Sequence, residues 1–166
     1  MWTTIVATLR DEFADLTDVE QFVRVVSRML FAVLLGAVVG YEREMRRSTA
    51  VLRTHMLVAL GVALVVIAAE QYHIEPGDMS RVLQGILTGI GFIGAGAIIK
   101  QSSTEEIKGL TTAASIWATA AIATAAGLGK QTTALVATVL AVMILSLLLQ
   151  IEQRKKQRGE DVDRED

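Results

Sequence analysis

The sequence contains no cysteine. Disulfides, thiolate metal sites and cysteine nucleophiles are therefore excluded. Histidine is almost as scarce, and His55 and His73 cannot by themselves supply the ligand set of a usual zinc site. There is one proline, Pro76, and no Pro- or Gly-rich linker divides the 166 residues, a length that suits one domain. Aromatic residues make up only 5% and the net charge is -2. With no basic stripe interleaved with aromatics, nucleic-acid binding is not expected. No Ser–His–Asp order, Walker loop or HExxH motif is present, so the chain is not read as an enzyme. The amino end lacks a basic region ahead of an apolar core, and no removable signal peptide is expected.

Charge is missing over long stretches and concentrated in short ones. Hydrophobic residues reach 52% and mean hydropathy is +0.45. Five apolar runs stand out, at 22–40, 51–69, 82–99, 110–127 and 132–149. As helices each would be roughly 27–29 Å long, close to the hydrocarbon core of a bilayer. A soluble helical bundle would need a polar stripe on every helix, and the last three runs offer only Ser, Thr, Gln and Gly. The fold class expected is therefore all-α, a polytopic bundle of five transmembrane helices. Residues 1–21 form an outer segment, 22–149 the membrane domain and 150–166 a charged tail whose end reads as disordered. The outer segment suits a short interfacial helix, and Thr17 with Glu20, or Asp18 with Gln21, has capping-box spacing before the first span. Eleven Lys and Arg fall on one side of such a bundle and three on the other, with Arg24 and Arg28 inside the first span. The positive-inside rule then puts the amino terminus outside and the tail in the cytoplasm.

Four clusters carry the polar chemistry. The third span holds Gly85, Gly89, Gly91, Gly94 and Gly96. Glycine in a helix interior is unfavourable by about 1 kcal/mol relative to alanine, so either close helix contact or a helix break that exposes backbone to an ion is expected. Gly36 and Gly40 make a second GxxxG pair and suit close contact, within the chain or in a homodimer. The turn 41–55 brings Glu42, Arg43, Glu44, Arg53, Thr54 and His55 together in sequence. Arg53, about one turn inside the boundary, calls for a carboxylate partner, with Glu42 the first candidate. Arg46 and Arg47 would face anionic lipid. His55 suits either a hydrogen-bonded structural role or a proton-sensitive gate.

In the loop 70–81, Asp78 is placed to cap the third span or to pair with Arg81. With Glu70 and Glu75 it is also the candidate ligand for a hydrated Mg2+. Gln84 is an uncharged polar group in the third span. Span four opens with Thr111, Thr112, Ser115, Thr119 and Thr124, whose hydroxyls can bond helix carbonyls or a neighbour. Trp117, mid-span, is expected to face protein. Arg24 and Arg28 either snorkel or pair with outer acids such as Glu20.

These stretches together resemble the MgtC/SapB family of bacterial inner-membrane proteins. The resemblance runs from about Leu34 to Gly129 and rests on GAVVGYERE (36–44), LRTHMLVALG (52–61), DMSR (78–81), GIGFIGAGAII (89–99) and KGLTTAASIWATAA (108–121). It implies five helices with the amino terminus outside, a multi-pass place in the inner membrane, and a link to magnesium limitation and, in pathogens, virulence. It implies motif roles for Gly40, Glu42, Arg43, Glu44, Arg53, Thr54, His55, Asp78, Arg81, Gly89, Gly91, Phe92, Gly94, Gly96, Gly109, Leu110, Thr111, Thr112 and Trp117. Transport of Mg2+ or H+ is one implied activity. The other is regulation, by contact, of another membrane complex such as the proton-driven ATP synthase. No bound cofactor is expected, and Mg2+ enters as substrate or signal. Val51 and Ala123 stand where glycine is common in the family. Longer members carry a cytoplasmic carboxyl-terminal domain, where here residues 150–166 follow the last span.

Overall fold

The computed structural model describes residues 1–12, 18–45, 51–72, 75–100 and 107–162. The order is α1 (Trp2–Glu12), α2 (Val19–Glu44), α3 (Val51–Gln71), α4 (Pro76–Ala97), β1 (Ile99–Lys100), β2 (Ile107–Lys108), α5 (Leu110–Gly127) and α6 (Gln131–Val162). The five apolar runs fall on five separate helices, α2 to α6. Three of them, α2, α3 and α5, are long and apolar enough to cross a membrane, and among the described side chains α6 is apolar over Gln131–Ser146. Thr17, Arg46, Arg47, His73 and residues 163–166 lie outside the described residues.

Helix ends follow local chemistry. The Asp18 side chain caps α2 by accepting from the Glu20 N–H at 3.0 Å, satisfying one of the orphan donors of the first turn. The start of α4 differs from expectation. Glu75 is the N-cap and Pro76 opens the helix, where its missing N–H is no loss. Asp78 therefore lies in the first turn and not at the cap, although the helix dipole still favours its charge there. The α6 helix continues to Val162, where the charge pattern alone suggests a disordered end.

The α4 helix is unbroken from Pro76 to Ala97, so the glycines of the third span do not interrupt it. Within lipid an intact helix satisfies every backbone group internally. Nor do those glycines pack as a set. A Cβ at Gly85, Gly89, Gly91 or Gly96 would meet nothing within 4 Å, and one at Gly94 would lie 3.6 Å from the Ala113 Cβ.

Among the described residues β1 and β2 are not helical: Ile99 pairs with Lys108 and Lys100 with Ile107 in an antiparallel ladder. It closes the α4–α5 connection and delivers Gly109, at φ 93, against the Ala97 carbonyl. Only glycine suits both that conformation and that approach.

The α5 helix is central, packing on α2, α3, α4 and α6. Its buried face is small, with Ser115, Thr119, Ala120, Ala123 and Ala126 among its residues. Lipid tails give helices little hydrophobic reason to associate, so close van der Waals contact must hold them. The core matches that demand, joining Ala32, Leu35 and Val39 of α2 to Ala59 and Ala63 of α3 and Ala120 of α5.

Candidate functional site

Two polar groupings close the ends of this apolar core. At one end the Arg28 side chain, only 15% exposed, forms an ion pair with Glu70 and donates to the Gly127 carbonyl at 3.0 Å. It thereby ties α2 to the ends of α3 and α5. Arg24 pairs with Glu20 at 2.6 Å, as the sequence suggests, whereas the Arg28–Glu70 pair joins residues 42 apart and has no local signal.

The other end holds the richer cluster. It begins where Gly36 and Gly40 let α2 and α3 touch backbone to backbone. A Cβ at Gly36 would sit 2.7 Å from the Ala59 Cβ and 2.8 Å from the His55 carbonyl, and one at Gly40 would sit 2.9 Å from the Leu52 Cα. This face packs on α3 within the chain. The crossing buries His55 completely. Its Nδ1 lies 2.7 Å from the Val51 carbonyl oxygen, which only accepts, so Nδ1 carries the proton and donates. Its Nε2 lies 3.1 Å from the Ser115 hydroxyl, which is also 2.8 Å from the Thr112 carbonyl. Arg43, 9% exposed, donates to the Thr112 hydroxyl at 3.0 Å. Glu42, the α2 residue before Arg43, meets α6, whose Ser146 hydroxyl lies 3.3 Å from its Oε1.

The structure therefore gathers Arg43, His55 and Thr112 with Ser115, and pairs Glu42 with Ser146. Ser115 was visible only as one hydroxyl in a row, and Ser146 gave no signal beyond being polar in an apolar run. Thr54 is half-buried beside the cluster. The remaining residues stay outside it. Glu44, Arg53, Thr111 and Gln84 are exposed. Arg53 was expected to be the buried arginine, but Arg43 takes that place because it shares a helix face with Gly36 and Gly40, whereas Arg53 turns outward. Asp78 and Arg81 are exposed and lie 3.4 Å apart. Trp117, expected to face protein, is 50% exposed, and Phe92 is 83% exposed. The small side chains of α5 take its crowded face and leave the indole outside.

Glu70, Glu75 and Asp78 do not gather into a cation site. Glu70 turns to Arg28 and Asp78 to Arg81. Among the described residues no group of three or more His, Cys, Asp or Glu is placed to hold a metal ion.

A helical bundle with three membrane-length apolar helices and a buried arginine–histidine–hydroxyl cluster at one end defines a helical membrane protein. Residues 29–154 match the model of the MgtC family, and the chain belongs to that family. It is 38% identical over 132 residues to Protein MgtC of Salmonella typhimurium, covering 80% of this chain and 55% of that protein. It is 41% identical over 124 residues to Protein MgtC of Brucella abortus, covering 74% of this chain and 50% of that protein. It is also 39% identical over 133 residues to Protein SrpB of Synechococcus elongatus, covering 72% and 71% of the two chains. The chain thus spans about half the length of the MgtC proteins it matches. No solved structure matches it.

Proposed function

We propose that this chain is a magnesium-linked regulatory protein of the bacterial inner membrane that acts by contact on another membrane complex and does not itself carry an ion. In this reading α2 to α6 each cross the bilayer, with the Arg43 end in the cytoplasm and the Arg28 end outside. The Lys and Arg excess on the Arg43 side favours that orientation. The magnesium link comes from family membership.

One observation carries the choice of regulation over transport. Among the described residues the buried polar side chains are Arg43, His55, Ser115, Thr119 and Thr138. The first three sit in the end cluster. The Thr119 and Thr138 hydroxyls donate to the Ser115 and Ala134 carbonyls of their own helices at 2.9 and 2.8 Å. Between the cluster and the Arg28–Glu70 pair the core is aliphatic. An ion crossing there would lose its hydration without replacement ligands, and a divalent cation would also meet Arg43. Asp78, the leading candidate ligand, lies exposed beside Arg81.

The expected result is that purified protein in liposomes passes no more Mg2+ to an entrapped indicator than protein-free liposomes do, with Asp78→Ala behaving identically. Saturable Mg2+ entry that Asp78→Ala abolishes would establish transport instead.

A further inference from the structure

The α1 helix buries none of its described side chains in the bundle. Each of its residues from Trp2 to Arg10 is exposed, yet its apolar side chains are not scattered. Trp2, Ile5, Val6 and Leu9 recur at spacings of three and four and form one face. They stand 79%, 42%, 61% and 54% exposed. Thr3, Thr4, Ala7, Thr8, Arg10, Asp11 and Glu12 make up the rest of the helix. A contiguous apolar face of this kind needs a cover.

The start of α2 indicates what that cover is. An exposed apolar row climbs α2 from Tyr41 through Val38, Leu34 and Leu30 to Val23 and Val19. Its middle is the outer surface of a helix built to cross a membrane. The row continues past Arg28 and Arg24 to the Asp18 cap, so the first turns of α2 remain in the layer where lipid tails give way to headgroups. Five residues separate Glu12 from Asp18, a reach of about 20 Å at full extension. The α1 helix is itself about 16 Å long and is therefore tethered beside the layer that α2 has just entered. Tryptophan at one end of the apolar face suits that layer, because indole favours the membrane–water interface.

We propose that α1 lies flat in the headgroup layer at the Arg28 end of the bundle, with Trp2, Ile5, Val6 and Leu9 seated at the boundary with the acyl chains. The partner of this surface is the lipid itself. This role stands apart from the transport or regulation question and holds under either.

The full chain carrying Trp117→Phe leaves Trp2 as the only indole. In vesicles of phosphatidylcholine and phosphatidylglycerol its emission is expected to be blue-shifted and to be quenched when the lipids carry brominated acyl chains. Adding Ile5→Asp and Val6→Asp should abolish both the shift and the quenching while leaving the thermal unfolding of the bundle unchanged. Emission at the water-exposed wavelength, unquenched by bromolipid, would overturn the assignment. So would a blue shift that resists bromolipid and disappears when protein is diluted in lipid, since a second copy would then be the cover.

Discussion

Gly36→Val is expected to destabilise the bundle by about 3 kcal/mol, the upper part of the range for overpacked cores. The new Cβ would fall 2.7 Å from the Ala59 Cβ and 2.8 Å from the His55 carbonyl. One of those atoms is backbone and cannot rotate away, so α2 has to lift off α3. Lifting α2 also withdraws Arg43 from Thr112 and opens the pocket around His55. The contrasting variant is Gly89→Ala, where nothing lies within 4 Å of the added carbon. There the gain in helix propensity, about 1 kcal/mol or less, should leave the protein unchanged or slightly more stable. Thermal unfolding of both variants in the same detergent separates the two GxxxG motifs. Equal unfolding temperatures for Gly36→Val and the unsubstituted protein would remove the α2–α3 crossing described above.

His55→Ala is expected to destabilise by about 2–4 kcal/mol, combining a core cavity with lost hydrogen bonds. The ring is fully buried, so the cavity has no solvent to fill it. Both ring nitrogens are engaged, one by the Val51 carbonyl and one by Ser115. His55→Leu fills most of the volume and isolates the polar part of the loss. Ser115 keeps its hydroxyl bonded to the Thr112 carbonyl at 2.8 Å, and the Val51 carbonyl keeps its place in the helix. Leucine should therefore recover most of the stability. Chemical or thermal unfolding of the two variants measures the difference, and an alanine variant within about 0.5 kcal/mol of the parent, the usual range for surface substitutions, would show that His55 is not buried.

Much of this architecture can be read from local sequence. The apolar runs mark the five helices α2 to α6, and their lengths need no tertiary information. Contacts within one helix were also legible, as with Glu20 and Arg24 or Asp78 and Arg81, because spacings of three and four put side chains on one face. Gly36 and Gly40 signalled close packing correctly. The candidate site was harder because its bonds are long-range. Arg43 meets Thr112 across 69 residues, His55 meets Ser115 across 60, and Ser146 meets Glu42 across 104. Each depends on the angular position of a helix within the bundle, which no local window contains.

The choice between Arg43 and Arg53 shows the limit. Both lie near one membrane boundary, and only helix rotation decides which is buried. A signal was nevertheless present: Gly36, Gly40 and Arg43 follow at spacings of four and three, so a close crossing at the glycines carries Arg43 toward the neighbour. Trp117 failed for the opposite reason, since depth in a span says nothing of direction around it. The glycines of α4 mark no close contact within the chain at Gly85, Gly89, Gly91 or Gly96, because no neighbouring helix approaches them there.

The central claim is that the interior between the two polar ends is closed to water. The absence of native cysteine gives a clean background for testing it. Single cysteines at Ala63 and Ala120, both fully buried, can be compared with one at the exposed Glu44 using a charged thiosulfonate that reacts only with hydrated thiolate. With the reagent on both sides of proteoliposomes, Glu44→Cys should label, while Ala63→Cys and Ala120→Cys should stay unmodified until the protein is unfolded in detergent. Labelling of either buried position in the folded protein at the rate of Glu44→Cys would reveal a wet path and contradict the closed core.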